Sequence, residues 1–442
     1  MTTLLETLRD LDIRHLWHPY TNTDAFEQGR YTCFDSAEGV YLYEPGGRPV
    51  LDGISSWWAT ALGHSHPRLI EAIREQAGIL QHSILGNLSH PMAVRLAGKL
   101  AEITPEGLNR VYFASDGASA TESALKMAIQ YWHNIGQSDR TRFVSLAEGY
   151  HGDTLGAVGV GFVPQFHRPF KKAVVRSYVA EAPHAPCNSG DAGEVEAADQ
   201  AFTSIEALVQ KHHATLAGVI LEPLCQGAAG IRIYPEAYLR KVRALCDEHE
   251  LLLIADEIAV GFGRTGSLFA CEQAGIVPDI LCLGKALTGG YLPMSAAIAT
   301  DEIFETFRSD DTHDRTFYDG HTFCGNPITS AVALEALNIY TSEAIVERCE
   351  PLAKQLREGM AEIGAYPCVA YQKSLGMIGM CAFTEKAGGA ALARKVAQAA
   401  MELGLFIRPL GDVLYLWSPL ITTADQLEEM IDLFKDAIEQ QL

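Results

Sequence analysis

The run DILCLGK (279–285) ends on Lys285, and the run LLLIADE (251–257) carries Asp256 near its end. A lysine after a buried run is costly unless it is paired or its charge is removed. Desolvation lowers its pKa toward nucleophilic use, and Schiff-base formation with an aldehyde cofactor changes both its charge and its role. An aspartate at the end of a neighbouring run can pair with a pyridinium nitrogen. Lysine plus aspartate is the set a pyridoxal 5′-phosphate (PLP) enzyme needs, the ring acting as electron sink while its nitrogen stays protonated. Gly117-Ala118-Ser119 opens a helical stretch and offers backbone N–H groups to a phosphate. Tyr150 could stack on a ring, and Glu222 adds a second acidic position. Taken alone, Lys285 also reads as a loop lysine or a member of a structural ion pair, and the residues by themselves leave both readings open.

The elements that would position these groups follow from the alternation of short β-type runs with helical stretches. VYFAS (111–115), RFVSLAEG (142–149), AGVILEP (217–223), LLLIADE, DILCLGK and MSAAIAT (294–300) are the strand candidates. Several are apolar without alternation, as in strands covered on both faces. In TESALKMAIQYW, Ala124, Leu125, Ala128, Ile129 and Trp132 recur at helical spacing. The pattern predicts an α/β fold with an open, mostly parallel sheet. Ligands in such sheets bind beyond the carboxyl ends of the strands, where five of these runs deliver Ser115–Ser119, Glu148–Asp153, Glu222, Asp256 and Lys285. Residues 1–60 read as an irregular arm with short strands and a hairpin around Gly39–Asp52. Beyond about residue 330 the chain reads as a second, smaller α+β domain that recruits the arm. Residues 181–200, polar and rich in glycine and alanine, read as a surface loop.

The 442 residues are 48% apolar, too many for one small core, which predicts two domains or a large one with an appendage. Lys+Arg 34 against Asp+Glu 55 gives a net charge of −21, which disfavours nucleic acid as a partner. The ten cysteines show no zinc or redox spacing and fit reduced thiols in a cytoplasmic protein. Charged residues interrupt the first segment where a signal peptide needs an apolar stretch, and no run is long enough for a membrane helix. GFGRTG (261–266) satisfies the dinucleotide pattern, but no helix opens at its last glycine, so a structural turn is the better reading. His64 and His66 lack a third ligand nearby, so a loop role is preferred and no metal is expected. Trp57–Trp58 and Tyr415 are core aromatics or pocket walls. Arg408 is a surface ion pair or an anion clamp. His151 reads as holding its loop, and Glu148 and Glu257 as structural carboxylates.

LLLIADEIAVGFGRTG followed by PDILCLGKALTGG resembles the signature of the class III (ornithine/ω-type) aminotransferases of PLP fold type I. WHPYTN (17–22), DGISSWWA (52–59), QYWHNIG, EGYHGDT (148–154), GHTFCGNP (320–327) and IRPLGDVLYLWSP (407–419) narrow the resemblance to the members that act on 8-amino-7-oxononanoate in biotin biosynthesis; it runs from about residue 14 to the C-terminus. The resemblance implies a large PLP-binding domain over 61–330, a C-terminal small domain over 331–442 and the arm (1–60) packed with the latter. It implies a cytoplasmic homodimer with active sites at the subunit interface and small-molecule substrates, S-adenosylmethionine being the expected amino donor and lysine or another amine the alternative. Residue by residue, Lys285 matches the lysine that holds PLP and moves the proton, and Asp256 the partner of the ring nitrogen. Gly117, Ala118 and Ser119 match the phosphate loop, and Thr322 the residue reaching the phosphate from the other subunit. Tyr150 matches the stacking aromatic, and Glu222 an acidic position near the cofactor. Tyr20, Trp57, Trp58, Tyr150, Asp153, Gly320, His321, Arg408 and Tyr415 match substrate-pocket positions. Among these, Tyr20 is also counted as catalytic, Arg408 is expected to clamp a carboxylate, and Asp153 and Tyr20 to meet the donor's cationic groups. Two departures stand out: Ala118 where a second hydroxyl is expected, and His321 where some relatives carry proline.

Overall fold

The structure, a computed structural model, describes residues 4–185 and 190–442. Cys187 and residues 186–189 of the expected 181–200 loop lie outside the described residues. In chain order the strands are β1 (Ser36–Glu38), β2 (Tyr41–Tyr43), β3 (Pro49–Asp52), β4 (Leu108–Ala114), β5 (Arg142–Leu146), β6 (Tyr178–Ala180), β7 (Leu216–Leu221), β8 (Cys225–Gln226), β9 (Arg232–Ile233), β10 (Leu252–Asp256), β11 (Ile280–Leu283), β12 (Ser295–Thr300), β13 (Val369–Leu375), β14 (Ile378–Phe383), β15 (Leu405–Phe406) and β16 (Val413–Leu416).

Seven of them form one sheet in the order β4-β12-β11-β10-β7-β5-β6. Only β12 runs against the others, pairing antiparallel with β11 and β4, while β10, β11, β7, β5 and β6 pair in parallel. Every residue of β7, β10 and β11 is buried, which is why those runs show no polar alternation. The common strand direction brings the carboxyl ends of β4, β5, β7, β10 and β11 to one edge, so the five strand-end groups share that edge. The helix Gly117–Asn134, which follows β4, buries Ala120, Ala124, Ala128 and Trp132 on the sheet. The edge strand β6, only three residues long, is the one strand of this sheet absent from the sequence reading.

Three smaller sheets complete the frame, the least of them the antiparallel pair β8 and β9. β13, β14 and β16 pair antiparallel, flanked by the helices Ile345–Gly364, Gly389–Leu403 and Ala424–Glu439. The expected hairpin is β2 and β3, and β15 adds to it in parallel through Leu405↔Leu51 and Phe406↔Asp52. The arm is more helical than expected. Leu4–His15 forms a helix with no buried residue, and Thr23–Gln28 forms another, capped by the Asn22 carboxamide. The stretch read as a loop is corrected from residue 190 on, where the helix Gly190–His212 begins. Its apolar stripe of Ala198, Ala201, Ile205 and Val209 lies mostly past residue 200, so the polar first turns masked it.

The β13–β14 turn locks the small sheet to the large one. Gly376 has φ +52, and a Cβ there would lie 2.4 Å from the Thr265 carbonyl carbon; next to it the Met377 N–H donates to Arg264 O at 3.0 Å. Gly376→Ala combines a left-handed backbone with a backbone clash and should cost about 2–4 kcal/mol, read as a fall in denaturation midpoint with a native-like circular dichroism spectrum.

Candidate active site

The loop after β11 begins at Lys285, which takes a left-handed φ of 44°, and its Nζ stands 5.4 Å from the centre of the Trp58 ring. Burial holds the Lys285 pKa below the ordinary lysine value, and the charges of Asp256 and Glu222 oppose that only in part. Asp256, at the end of β10, is buried; its Oδ1 accepts the Ile258 N–H at 3.0 Å and its Oδ2 lies 2.7 Å from His151 Nδ1. Burial alone would lower the His151 pKa, but the bond to Asp256 and the carboxylate charges carry it upward. The Nε2 of His151 is buried without a hydrogen-bond partner. Glu222, just past β7, accepts the Tyr150 N–H on Oε2 and the Gly227 N–H on Oε1, both at 2.9 Å. It therefore pins the Tyr150 loop from below.

The helix Gly117–Asn134 points its N-terminus at the same edge. Asp116 caps it, with Oδ1 accepting from both the N–H and the hydroxyl of Ser119 at 3.0 Å. The Ser119 hydroxyl is thus already donating, and Ala118 carries none, so the anion-binding capacity rests on the first-turn backbone N–H groups and the helix dipole. Gly152 keeps the neighbouring loop close: its φ is +120 and a Cβ would come within 2.4 Å of the Ala118 Cβ.

Above this floor lies a cavity of about 690 Å³, with Tyr20, Trp57, Trp58, Tyr150, Lys285 and Arg408 among its walls. Ser55, Ser56, Trp57 and Trp58 all have positive φ (51, 43, 71 and 72°), a left-handed turn of four non-glycine residues. Asp52 stabilises it, accepting from the Ile54 and Ser56 N–H groups and the Ser56 hydroxyl. The turn directs both tryptophans to the cavity, which an extended strand cannot do. Trp57, 41% exposed, lies under the Arg408 guanidinium at 4.1 Å. Trp58, 4% exposed, stacks on Trp417 at 4.9 Å and donates its indole N–H to the Tyr415 hydroxyl at 3.2 Å. Tyr415 is fully buried behind the wall, its pKa pushed up to about 12 mainly by burial. Among the described residues no carboxylate pairs with Arg408, so its planar fork is available to a ligand. Tyr20 donates to the Asp153 carboxylate at 2.7 Å, and Tyr150 does so at 2.9 Å. Burial and Asp153 push the Tyr20 pKa up to about 12.

The structure therefore brings Tyr20, Trp57, Trp58, Tyr150, Asp153, Lys285 and Arg408 to one cavity or its rim, with Asp256, Glu222 and Tyr415 behind it. Gly320, His321 and Thr322 are not among its walls in the single chain. The loop they form is exposed and is tied to the end of β4 by His321 Nδ1 to Ser115 Oγ at 3.0 Å. His64 contacts Asp52 at 2.9 Å and serves the turn. Not foreseen were Phe166 and Arg232 in the cavity wall and His167 beside Asp153 at 3.1 Å; none of the three lies in a motif or at the carboxyl end of a strand of the large sheet. The His151 loop role was legible, but not its pairing with Asp256, which needs β5 and β10 to be near neighbours in the sheet.

The residues present fit a phosphorylated pyridine aldehyde: a half-buried amine with a lowered pKa, a buried carboxylate at the end of β10, an imidazole nitrogen with no partner among the described residues and the N–H groups of a helix first turn. Comparison with known proteins agrees with this chemistry. The model of the family "Aminotransferase class-III" matches residues 25–438. An adenosylmethionine-8-amino-7-oxononanoate aminotransferase from Synechococcus elongatus is 41% identical over 96% of this chain and 99% of its own length. The crystal structure of the enzyme of that name from Methanocaldococcus jannaschii superposes with TM-score 0.91 at 34% identity, covering 98% of this chain and 99% of that one. An ω-transaminase from Pseudomonas jessenii in complex with PMP gives TM-score 0.92 at 28% identity over 98% of each chain.

Glu222 offers a pH test. Burial is the main cause that raises its pKa from 4.5 to about 7. The native state then binds this proton more tightly than the unfolded chain, so the stability it adds is full below the unfolded value and is lost as the pH rises through about 7. In cofactor-free protein, Glu222→Gln should flatten the fall in unfolding free energy between about pH 4.5 and about pH 7, measured by denaturant titration. A variant that keeps the full slope would assign the pH dependence to other groups.

Proposed function

The chain belongs to the class III aminotransferases, and from that premise we propose that it transfers an amino group to 8-amino-7-oxononanoate, forming 7,8-diaminononanoate in biotin biosynthesis, with S-adenosylmethionine as donor. Relatives that carry this name match the chain over nearly its whole length. The observation that carries the reading is the half-buried Lys285 amine, its pKa lowered by burial against the charges of Asp256 and Glu222, in one cavity with an Arg408 guanidinium that no carboxylate pairs among the described residues. We place the work in the cytoplasm; no helix among the described residues is long and apolar enough to cross a membrane.

PLP, the cofactor of this enzyme class, supplies when bound an aldehyde for amine exchange and a ring that accepts electrons. The protein's part is to hold and to move protons. Lys285 Nζ, with its charged form disfavoured by burial, serves as the base that takes a proton from the substrate carbon and the acid that returns one. Asp256, held by His151, would hold the ring nitrogen of the bound cofactor. The N–H groups of Gly117 and Ala118 take the phosphate, and Ser119 shapes that turn through Asp116. Tyr150 covers the ring from the loop pinned by Glu222. Thr322, exposed on its loop, completes the phosphate site of a second subunit in a homodimer, with Gly320 and His321 shaping that loop. Trp57 and Trp58 line the path of an alkyl chain, with the buried Tyr415 hydroxyl holding Trp58 from behind, and Arg408 clamps the acceptor's carboxylate. One cavity must serve donor and acceptor in turn, which predicts ping-pong kinetics.

The ω-transaminase neighbours superpose as well as the M. jannaschii enzyme does, which keeps a different amine or lysine as the alternative donor. Supplying 8-amino-7-oxononanoate with S-adenosylmethionine, with lysine and with a simple amine decides between them; the reading expects diaminononanoate with S-adenosylmethionine, and formation from lysine alone would replace that donor. Lys285→Ala should abolish turnover and the visible absorbance of the lysine–cofactor linkage, and a variant with full activity would remove Lys285 from the mechanism. Arg408→Ala should raise the acceptor KM by about 10–100-fold, the loss of a charge-assisted hydrogen bond, and an unchanged KM would take the clamp out of the scheme.

A further inference from the structure

At the cavity rim the Asp153 carboxylate gathers both tyrosine hydroxyls, and something must fix it. Its neighbour on the protein side is His167, the last residue of the single turn Pro164–His167. The ring is buried, with only 2% of the residue exposed. The Val163 N–H donates to its Nδ1 at 3.1 Å, so Nδ1 carries the lone pair and the ring proton sits on Nε2. That Nε2 lies 3.1 Å from Asp153 Oδ1 and donates to it. The ring lies nearly parallel to Tyr150, 6.1 Å between centres at 16°, and is boxed by Phe162 and Phe166 at 5.9 Å each. Phe166 in turn meets Tyr20 edge-on at 5.2 Å. The segment Val163–His167 therefore grips the cation-facing group twice: Phe166 sets the Tyr20 ring, and His167 sets the carboxylate that Tyr20 and Tyr150 both bond.

We propose that His167 is a positioning residue for the substrate's cationic group, locked as the Nε2–H tautomer by the Val163 N–H and aiming the Asp153 carboxylate between Tyr20 and Tyr150. The proposal rests on the reading that Asp153 and Tyr20 meet a substrate cation. Without His167, Asp153 keeps its two tyrosine donors but loses the bond to a buried ring that fixes its direction from the protein side, since both tyrosines stand on the cavity side. The effect falls on binding of the cation more than on the proton transfers at Lys285.

Two measurements on the PLP-loaded enzyme test it. Long-range proton–nitrogen correlation spectra of histidine-labelled protein, assigned by loss of the signal in a His167 variant, should show His167 as the Nε2–H tautomer; an Nδ1–H tautomer overturns the proposal without reference to turnover. Kinetically, His167→Asn keeps an acceptor for Val163 but falls short of Asp153, whereas His167→Gln extends an amide donor to it. His167→Asn should raise the KM for S-adenosylmethionine by about tenfold, one hydrogen bond to a charged group, with kcat falling less than KM rises and cofactor affinity unchanged. His167→Gln should recover most of that loss. A His167→Asn enzyme with unchanged KM overturns the proposal, as does equal damage in both variants with weakened cofactor binding, the sign of a packing role alone. If the parent enzyme does not turn over S-adenosylmethionine, the functional reading fails instead, and the tautomer then decides this proposal alone.

Discussion

A half-buried primary amine at the edge of a mostly parallel sheet is the constraint around which the rest is arranged. Burial penalises the charged form of Lys285, and the charges of Asp256 and Glu222 restore only part of that loss. Had either carboxylate stood free, it would have fixed the amine as an ordinary ion pair. Neither does. Asp256 is engaged by His151 and the Ile258 N–H, and Glu222 by two backbone N–H groups. Those prior bonds spread the negative charge over other donors and leave the amine available for chemistry. Delivering these residues from β7, β10, β11 and the loop after β5 requires that the strands run in one direction, and the βαβ topology meets that condition.

The opposite wall is built at a conformational cost. Four successive non-glycine residues, Ser55 to Trp58, sit in the left-handed region, each disfavoured by roughly 1–2 kcal/mol. The turn persists because its surroundings over-determine it. Asp52 receives three hydrogen bonds from it and a fourth contact from His64, and the Ser55 hydroxyl donates to Trp417 O at 2.6 Å. Trp58 is clamped between Trp417, Tyr415 and the lysine. What the strain achieves is two adjacent indoles on one cavity, one packed and one exposed under Arg408. Strain concentrated beside the reactive amine is the usual location for it in an enzyme.

Legibility in the sequence followed the range of the interaction. The buried runs of β7, β10 and β11 read correctly because covered strands need continuous apolar residues, a local property. The strand-end groups read correctly because parallel topology gives strand ends a common edge. Trp57–Trp58 could be flagged as a pair, but the reason both face the cavity, a left-handed turn, has no signature without glycine or asparagine. The helix after residue 190 was hidden because its first turns are polar. His167 and Arg232 were missed because their roles depend on which distant loops meet: His167 bonds a residue 14 positions earlier, and Arg232 reaches Tyr371 of β13. The Asn22-capped helix shows the converse: its cap was in the sequence, but six residues of weak pattern did not rise above the surrounding arm.

GFGRTG illustrates how packing can imitate a ligand motif. Its glycines are explained without any nucleotide. Gly263 and Gly266 take φ of +92 and +105, and Gly261 leaves a Cβ position only 2.9 Å from Glu257 O. These turns bring Arg264 inward, where its Nη1 donates to Met377 O at 2.9 Å and Ser418 O at 2.8 Å. Its guanidinium stands 5.2 Å from the Trp417 ring, and burial lowers its pKa to about 10. A buried cation whose Nη1 is held by carbonyls of the β13–β14 turn and of the segment after β16 ties the large sheet to the small one. Through Trp417 it also bears on Trp58 and hence on the lysine. The glycines are there so that this arginine can cross between the sheets, and the same crossing holds the aromatic wall of the cavity against the strand edge that carries the amine.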